Sequence, residues 1–197
     1  MRSSTIHRRR SLRLKGYDYT MAGAYFVTIC TQDRACLFGD VVAGAICLNE
    51  VGRMVAALWD GIAARFSSVE IDQFVVMPNH LHGILVLEDA DANGATTTSG
   101  ATTRVAPTIG GPVGAPLMGA PARLGDVVGA FKSLATIGYI DGVKTNGWPE
   151  FRGRLWQRNY YEHIIRDETA LNRVRCYVDD NPARWEFDDE NPRKTRS

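Results

Sequence analysis

The chain has 197 residues, of which 45% are hydrophobic and 23% charged, and its formal net charge is +1. This length and composition are typical of a globular protein with one core, and no apolar run reaches the roughly 18–20 residues that span a bilayer. The arginine-rich start is not followed by an apolar stretch, so we expect an intracellular protein without a signal peptide. The cysteines lack C-x-x-C spacing, which favours buried thiols over zinc ligands; they are Cys30, Cys36, Cys47 and Cys176.

Charge is unevenly distributed along the chain. Residues 1–15 contain six basic residues and no acidic one, whereas residues 179–190 contain six acidic residues and one arginine. A basic arm over residues 1–20 can contact a phosphate backbone, and its interleaved leucines and tyrosines favour packing and stacking. A solvated, disordered tail fits the same composition. The candidate contacts are Arg8, Arg9, Arg10 and Arg13.

The first elements are a strand, a short second strand and a helix. Residues 25–31 are aromatic and β-branched, and residues 45–48 form a shorter apolar run, so both are predicted as strands. Asn49 is a suitable N-cap for the helix that follows. Apolar residues recur at three and four positions from 51 to 66, which predicts one amphipathic helix without a functional site.

Two histidines stand where one β-branched run ends and the next begins. We predict adjacent strands over 69–77 and 82–87, joined at a Pro-Asn corner and too closely connected to be parallel. Successive strand residues face opposite sides, so His80 and His82 share a face while Leu81 enters the core. Two such imidazoles can hold one metal ion, although an H-x-H sequence alone also occurs on plain surfaces and in satisfied cores.

Residues 89–122 are rich in Ala, Thr, Gly and Pro and show no periodicity, so they are interpreted as a flexible insertion within one domain. A second amphipathic helix begins at about residue 124, with Asp126 as its expected cap. Lys132 projects from it; it either faces phosphate or is an ordinary solvated lysine. Residues 154–157 predict a short strand, and Asp167 caps a last helix that ends near residue 180, before Pro182.

This order of elements predicts an α+β fold. One antiparallel sheet with helices on one side, close to a ferredoxin-like βαββαβ plan, satisfies it. The two histidines need a further ligand, and the candidates near the last helix are Asn181 and, less well placed, Asp180 or Glu162. Mixed nitrogen and oxygen ligation suits Mg²⁺ or Mn²⁺ acting on a phosphate better than structural zinc.

Covalent attack on phosphorus would need a nucleophile beside that ion. Tyr160, Tyr161 and Tyr177 are the nearby candidates. Tyr177 and Asn181 are four residues apart on one helix face, so a single helix would deliver both. Tyr160 and Tyr161 are more typical of packing or DNA-stacking residues. A half-buried structural tyrosine is the alternative for Tyr177.

The chain resembles the HUH single-tyrosine transposases and, more narrowly, the REP-associated tyrosine transposases. The resemblance covers about residues 8–88 and 124–185, and only the insertion departs from it. The matching blocks are RRSLRLKGYDY, YFVTICT, VVMPNHLHGI, LWQRNYYEHIIR and YVxxNP.

The resemblance implies an HUH endonuclease fold in which His80, His82 and Asn181 bind Mg²⁺ or Mn²⁺ and Tyr177 is the nucleophile. It implies cleavage and strand transfer on single-stranded DNA hairpins through a 5′-phosphotyrosine. The arginines of the arm and Lys132 are the predicted DNA contacts. The expected partners are REP-like palindromes, the expected state is monomer or homodimer, and the expected location is the bacterial cytoplasm at the nucleoid. A catalytically silent hairpin-binding protein and a nuclease using metal-bound water are the alternatives.

Overall fold

The computed structural model describes residues 22–88 and 122–194. The predicted arm and all of the predicted insertion except residue 122 lie outside these ranges, so their roles and the single-domain boundary stay predictions. The elements in chain order are β1 (Gly23–Cys30), β2 (Gly39–Val42), β3 (Ala45–Leu48), α1 (Glu50–Asp60), β4 (Val69–Val76), β5 (His80–Leu87), α2 (Leu124–Asn146), β6 (Tyr161–Ile165) and α3 (Glu168–Asp180). Among these helices none has the length and apolar character needed to cross a bilayer.

A four-stranded antiparallel sheet forms the centre of the fold. Its strand order is β4-β5-β1-β6, so β1 pairs with β5 on one side and with β6 on the other. This is the order of the ferredoxin-like βαββαβ plan, and the predicted α+β class is confirmed. A separate hairpin pairs β2 with β3; the sequence predicted only its second strand.

The main core lies between one face of the sheet and the helices α1 and α2. Alternate residues of β1, which are Tyr25, Val27 and Ile29, point into it and are fully buried. The ring of Trp59 from α1 meets the ring of Phe131 from α2 edge to face, with centroids 4.9 Å apart. Close aromatic packing therefore fixes both helices against this face.

Helix α3 covers the opposite face, so the expectation of helices on one side is wrong. Its Val178 packs with Phe26, Ile84 and Ile165 in a second, smaller cluster. The physical reason is visible in β1, where apolar residues occupy consecutive rather than alternate positions, because the strand is covered on both faces.

Helix boundaries differ from prediction at two places. The apolar pattern of residues 51–66 does not form one helix: α1 ends before Gly61, and a 3-10 turn (Ile62–Arg65) follows. The N-cap of α2 is Arg123, so Asp126 lies in the first turn instead of capping it. The two other predicted caps are confirmed: Asn49 Oδ1 accepts from the Gly52 amide and Asp167 Oδ1 from the Ala170 amide, at 2.9 and 2.8 Å.

The last strand is β6, not residues 154–157. In that segment Trp156 forms only an isolated bridge with Thr31, just beyond the end of β1. Continuous pairing with β1 begins only at Tyr161, opposite Thr28, and ends at Ile165, opposite Ala24. The prediction that the cysteines are buried is also wrong. All four are free thiols, three are exposed and Cys30 is partly buried.

We expect Gly83→Ala to destabilise the fold by about 1–3 kcal/mol, because a Cβ at this position of β5 would lie 2.5 Å from the buried Trp59 ring. Gly129→Ala is the matched control, since nothing lies within 4 Å of its Cβ and alanine favours a helix, here by up to about 1 kcal/mol. Urea denaturation of both variants measures the difference. Equal effects of the two substitutions would contradict the packing account.

Candidate active site

The strand pairing places both histidines on the sheet face that α3 covers. His82 pairs with Thr28 of β1 and His80 pairs with Cys30, while Leu81 points into the main core. Both imidazoles are buried. They belong to the strand itself, because β5 begins at His80 and not at residue 82 as predicted.

Hydrogen bonds to the outer ring nitrogens fix how the imidazoles face each other. The Asn79 amide nitrogen donates to the carbonyls of Glu190 and Arg34, at 2.8 and 3.1 Å, so its oxygen faces His80 Nδ1 at 2.9 Å. That Nδ1 therefore carries the hydrogen, and His80 Nε2 presents a lone pair to His82 Nε2, 3.0 Å away. The Thr28 hydroxyl lies 2.8 Å from His82 Nδ1 and suits either tautomer.

Both histidines are held in the neutral form. Burial, assisted by the positive charge of Arg34, lowers the pKa of His80 to about 3. Burial and the neighbouring His80 lower the pKa of His82 well below its usual value, and the Asp188 carboxylate opposes this shift. Neutral imidazoles with converging Nε2 atoms can serve as metal ligands, because a cation can take the place of the shared proton.

Helix α3 brings Tyr177 to these histidines. Its Oη lies 3.4 Å from His82 Nε2, and its ring packs edge-on against Phe26 at 5.8 Å between centroids. The residue remains 42% exposed, so a large substrate can reach the hydroxyl. Burial, followed by the charge of Asp188, raises the pKa of Tyr177, and the side-chain hydrogen bond with Asn181 opposes the rise. The phenol is therefore protonated at neutral pH.

Asn181 lies one helical turn beyond Tyr177 and is 2% exposed. Its Oδ1 is buried and has no hydrogen-bond partner within the described ranges. An orphaned buried oxygen beside a phenol and two imidazoles fits a cation ligand. The alternative ligands fit less well: Asp180 is exposed and pairs with Arg184, and Glu162 lies opposite Val27, on the other face of the sheet.

Sequence reasoning missed Asp188. One of its carboxylate oxygens and the Nε2 or Nδ1 atoms of His80 and His82 all lie within 4.8 Å of one another, a grouping able to hold a metal ion. The residue follows a 3-10 turn (Pro182–Phe187) at the end of α3. The only signal in the sequence is the acidic stretch 179–190, which does not single out Asp188 from its neighbours.

The remaining predicted site residues lie apart from this centre. Lys132 is half-buried, donates to the carbonyls of Gln157 and Asn159, and lies 5.5 Å from the ring centroid of Tyr160. Tyr161 is exposed on the histidine face, with its ring 6.3 Å from that of Phe26. The predicted DNA contacts of the arm lie outside the described residues; they are Arg8, Arg9, Arg10 and Arg13.

No family model matches the chain, but one relative and two solved structures are similar to it. A Haemophilus influenzae protein described as uncharacterized is 37% identical over 187 residues, which are 93% of each chain. The structure of a REP-associated tyrosine transposase bound to a REP hairpin matches with 17% identity and a TM-score of 0.50, over 92% of this chain and 74% of that one. A candidate transposase from Deinococcus radiodurans covers 85% of this chain and 95% of its own at 17% identity, but its TM-score of 0.42 carries no argument.

These likenesses define the chain at two levels. Its fold is that of the REP-associated tyrosine transposases, so the resemblance drawn from the sequence motifs is confirmed at the level of the fold. By sequence, the chain belongs to the same protein family as the Haemophilus influenzae protein.

We expect the metal-free protein to lose stability as the pH falls from about 6.5 towards 3. In the unfolded chain an imidazole takes up a proton near 6.5, whereas folded His80 does so only at about 3, so acid favours unfolding. The loss is up to about 1.4 kcal/mol per pH unit for each buried imidazole. Urea titrations in chelator from pH 7 to 4 measure it.

His80→Gln should flatten this pH dependence, because it removes one titrating group. His163→Gln, at an exposed position of β6, is the control. Equal slopes in wild type and His80→Gln would contradict the assignment.

Proposed function

We propose that the protein is a metal-dependent endonuclease and strand transferase for single-stranded DNA hairpins, acting through a 5′-phosphotyrosine on Tyr177. The observation that carries the proposal is the 3.4 Å approach of the Tyr177 hydroxyl, on a partly exposed side chain, to His82 Nε2. A hairpin substrate is supported by the REP-associated tyrosine transposase of the same fold, which is bound to a REP hairpin. We place this activity in the cytoplasm at the nucleoid, in a monomer or homodimer.

The chemistry is one reversible exchange of phosphodiester bonds. The Tyr177 oxygen forms a bond to phosphorus while the bond to the 3′ oxygen breaks; the phenol loses its proton and the released 3′ oxygen gains one. A 3′-hydroxyl attacking the phosphotyrosine restores a phosphodiester and the phenol, so no nucleotide cofactor is consumed. Because the phenol is protonated at neutral pH, the approach of the phosphate must be coupled to loss of that proton.

Three side chains would hold the Mg²⁺ or Mn²⁺ ion of this reaction: His80, His82 and Asn181. The neutral imidazoles and the unpartnered Asn181 oxygen support this assignment. When bound, such an ion supplies positive charge to a phosphoryl oxygen and stabilises the charge that develops there. The residues of the chain contribute the position of the nucleophile relative to that charge.

A groove beside Tyr177 offers a route for the DNA strand. It runs along the outer side of α3, has a volume of about 520 Å³, and includes Arg173 and Arg184 in its lining. Arg184 pairs with Asp180 at 3.1 Å, whereas Arg173 lies exposed one turn before Tyr177. A phosphate next to the scissile one would meet the Arg173 guanidinium first. The arginines of the arm and Lys132 would extend these contacts.

We expect Tyr177→Phe to abolish the covalent protein–DNA adduct, with a loss of at least about three orders of magnitude, because the nucleophilic oxygen is gone. His80→Ala should also abolish it, and Tyr161→Phe should retain it. Labelled hairpin oligonucleotides incubated with Mn²⁺ and resolved on an SDS gel measure the adduct.

Each alternative gives a different pattern in this assay. Cleavage that survives Tyr177→Phe would indicate a nuclease that uses metal-bound water. Hairpin binding without cleavage by the wild type would indicate a silent DNA-binding protein. An adduct lost only in Tyr161→Phe would identify Tyr161 as the nucleophile.

We expect Arg173→Ala to weaken binding of single-stranded DNA and to reduce the slope of log affinity against log salt by about 0.7, the value for one lost phosphate contact. Fluorescence anisotropy between 50 and 200 mM salt would measure both quantities. Lys144→Ala is the control, because this exposed lysine lies in the last turn of α2, which packs on the other face of the sheet. If the two variants behave alike, the strand does not follow this groove.

A further inference from the structure

The chain beyond α3 folds into a compact turn that presents Asp188 to the histidines. The Asp188 amide donates to the Trp185 carbonyl, and the Asp188 carbonyl accepts from the Asn191 amide, both at 3.1 Å. The Asn191 side chain is buried and donates to the same Trp185 carbonyl at 2.9 Å. The main chain of Asp188 is therefore held on both sides. We call residues 185–191 the carboxylate turn.

Arg34 binds this turn from the loop that follows β1. Its guanidinium donates to the Asp189 carbonyl at 2.9 Å, and its Nε forms an ion pair with the Glu190 carboxylate at 2.9 Å. Both Asp33 and Arg34 have φ of 56°, a left-handed backbone that costs a residue with a side chain on the order of 1 kcal/mol. The contacts to the carboxylate turn offset that cost.

Asn79 links the same turn to His80. Its side chain is fully buried, with the oxygen on His80 Nδ1 and the nitrogen shared between the carbonyls of Glu190 and Arg34. A single amide therefore orients one imidazole and anchors the residue two positions after Asp188. Displacement of the carboxylate turn would break the bond from the Asn79 nitrogen to the Glu190 carbonyl, which helps to hold the amide whose oxygen orients His80.

The Asp188 carboxylate itself is available to a cation. One of its oxygens accepts from the Glu190 amide at 2.6 Å. Within residues 22–88 and 122–194, no lysine or arginine forms an ion pair with it. It is half-buried and faces two neutral imidazoles within 4.8 Å. Carboxylate oxygen is a preferred ligand of Mg²⁺ and Mn²⁺.

We propose that Asp188 is a ligand of the metal ion held by His80 and His82, and that Arg34 and Asn79 are positioning residues that keep its carboxylate there. This inference rests on the proposed function, because it assumes that the histidines bind a metal. The proposal adds a negatively charged ligand from the acidic stretch 179–190.

The direction in which removal of Arg34 changes the affinity for the metal ion separates a positioning role from a purely electrostatic one. The positive charge of Arg34 lowers the pKa of His80, so by charge alone Arg34 would repel a bound cation and its removal would tighten metal binding. If Arg34 acts by holding the carboxylate turn, its removal loosens Asp188 and metal binding becomes weaker.

Mn²⁺ titration of the DNA-free protein, followed by electron paramagnetic resonance of the free ion, tests this proposal. Asp188→Asn keeps the oxygen that accepts from the Glu190 amide but loses the charge, and should raise the Kd for Mn²⁺ at least about ten-fold. Arg34→Ala should raise the Kd about ten-fold, and the double variant should bind no more weakly than Asp188→Asn alone. Arg65→Ala, an exposed arginine of the 3-10 turn after α1, is the control.

Arg34→Lys covers the case in which Arg34→Ala fails to fold in chelator. Lysine keeps the positive charge but lacks the planar guanidinium that makes several hydrogen bonds in a fixed geometry. A positioning role therefore predicts weaker Mn²⁺ binding, and a purely electrostatic role predicts no change. Unchanged or tighter binding in the Arg34 variants, additive losses in the double variant, or wild-type affinity in Asp188→Asn would overturn the inference. Wild-type Mn²⁺ affinity in His80→Ala would instead overturn the metal site of the proposed function.

Discussion

The pairing of β1 with β5 is the constraint on which the site depends. It sets Thr28 against His82 and Cys30 against His80, so both imidazoles leave the sheet on the face opposite the main core. A slip of one residue would turn both rings into the aromatic packing around Trp59. The register is held from the core side by Leu81, Leu85 and Leu87, which are buried there, and by a glycine where the tryptophan ring approaches the strand. The apolar core thus specifies the position of the polar centre.

Burial also sets the charge states of the site. The histidines remain neutral because the sheet, Phe26 and the carboxylate turn exclude water, and a neutral nitrogen is what a metal ligand requires. The same surroundings, together with Asp188, keep the Tyr177 phenol protonated. Under the proposed function, a divalent ion bound here would place positive charge beside both the scissile phosphate and the Tyr177 hydroxyl.

The sequence predicted the parts of the molecule that local rules govern. The shared face of His80 and His82 follows from strand alternation, the caps Asn49 and Asp167 from local hydrogen bonding, and the closeness of Tyr177 to Asn181 from helical spacing. The fold class followed from the order of elements. The covering of β1 on both faces, the shift of the last strand to β6 and the position of Asp188 depend on how distant segments dock. Asp188 lies in an acidic stretch, and its approach to His80 and His82 in the folded chain distinguishes it from its neighbours.

The parts of the centre are far apart along the chain. The hydroxyl of Tyr177 meets an imidazole 95 residues earlier, and Glu190 meets an amide 111 residues earlier. During synthesis, both histidines are therefore added to the chain long before Tyr177. Contacts between residues so far apart in sequence also form slowly during folding. Under the proposed function, a chain cut short before α3 would retain the imidazoles but lack the Tyr177 nucleophile, so such a fragment would not cleave DNA.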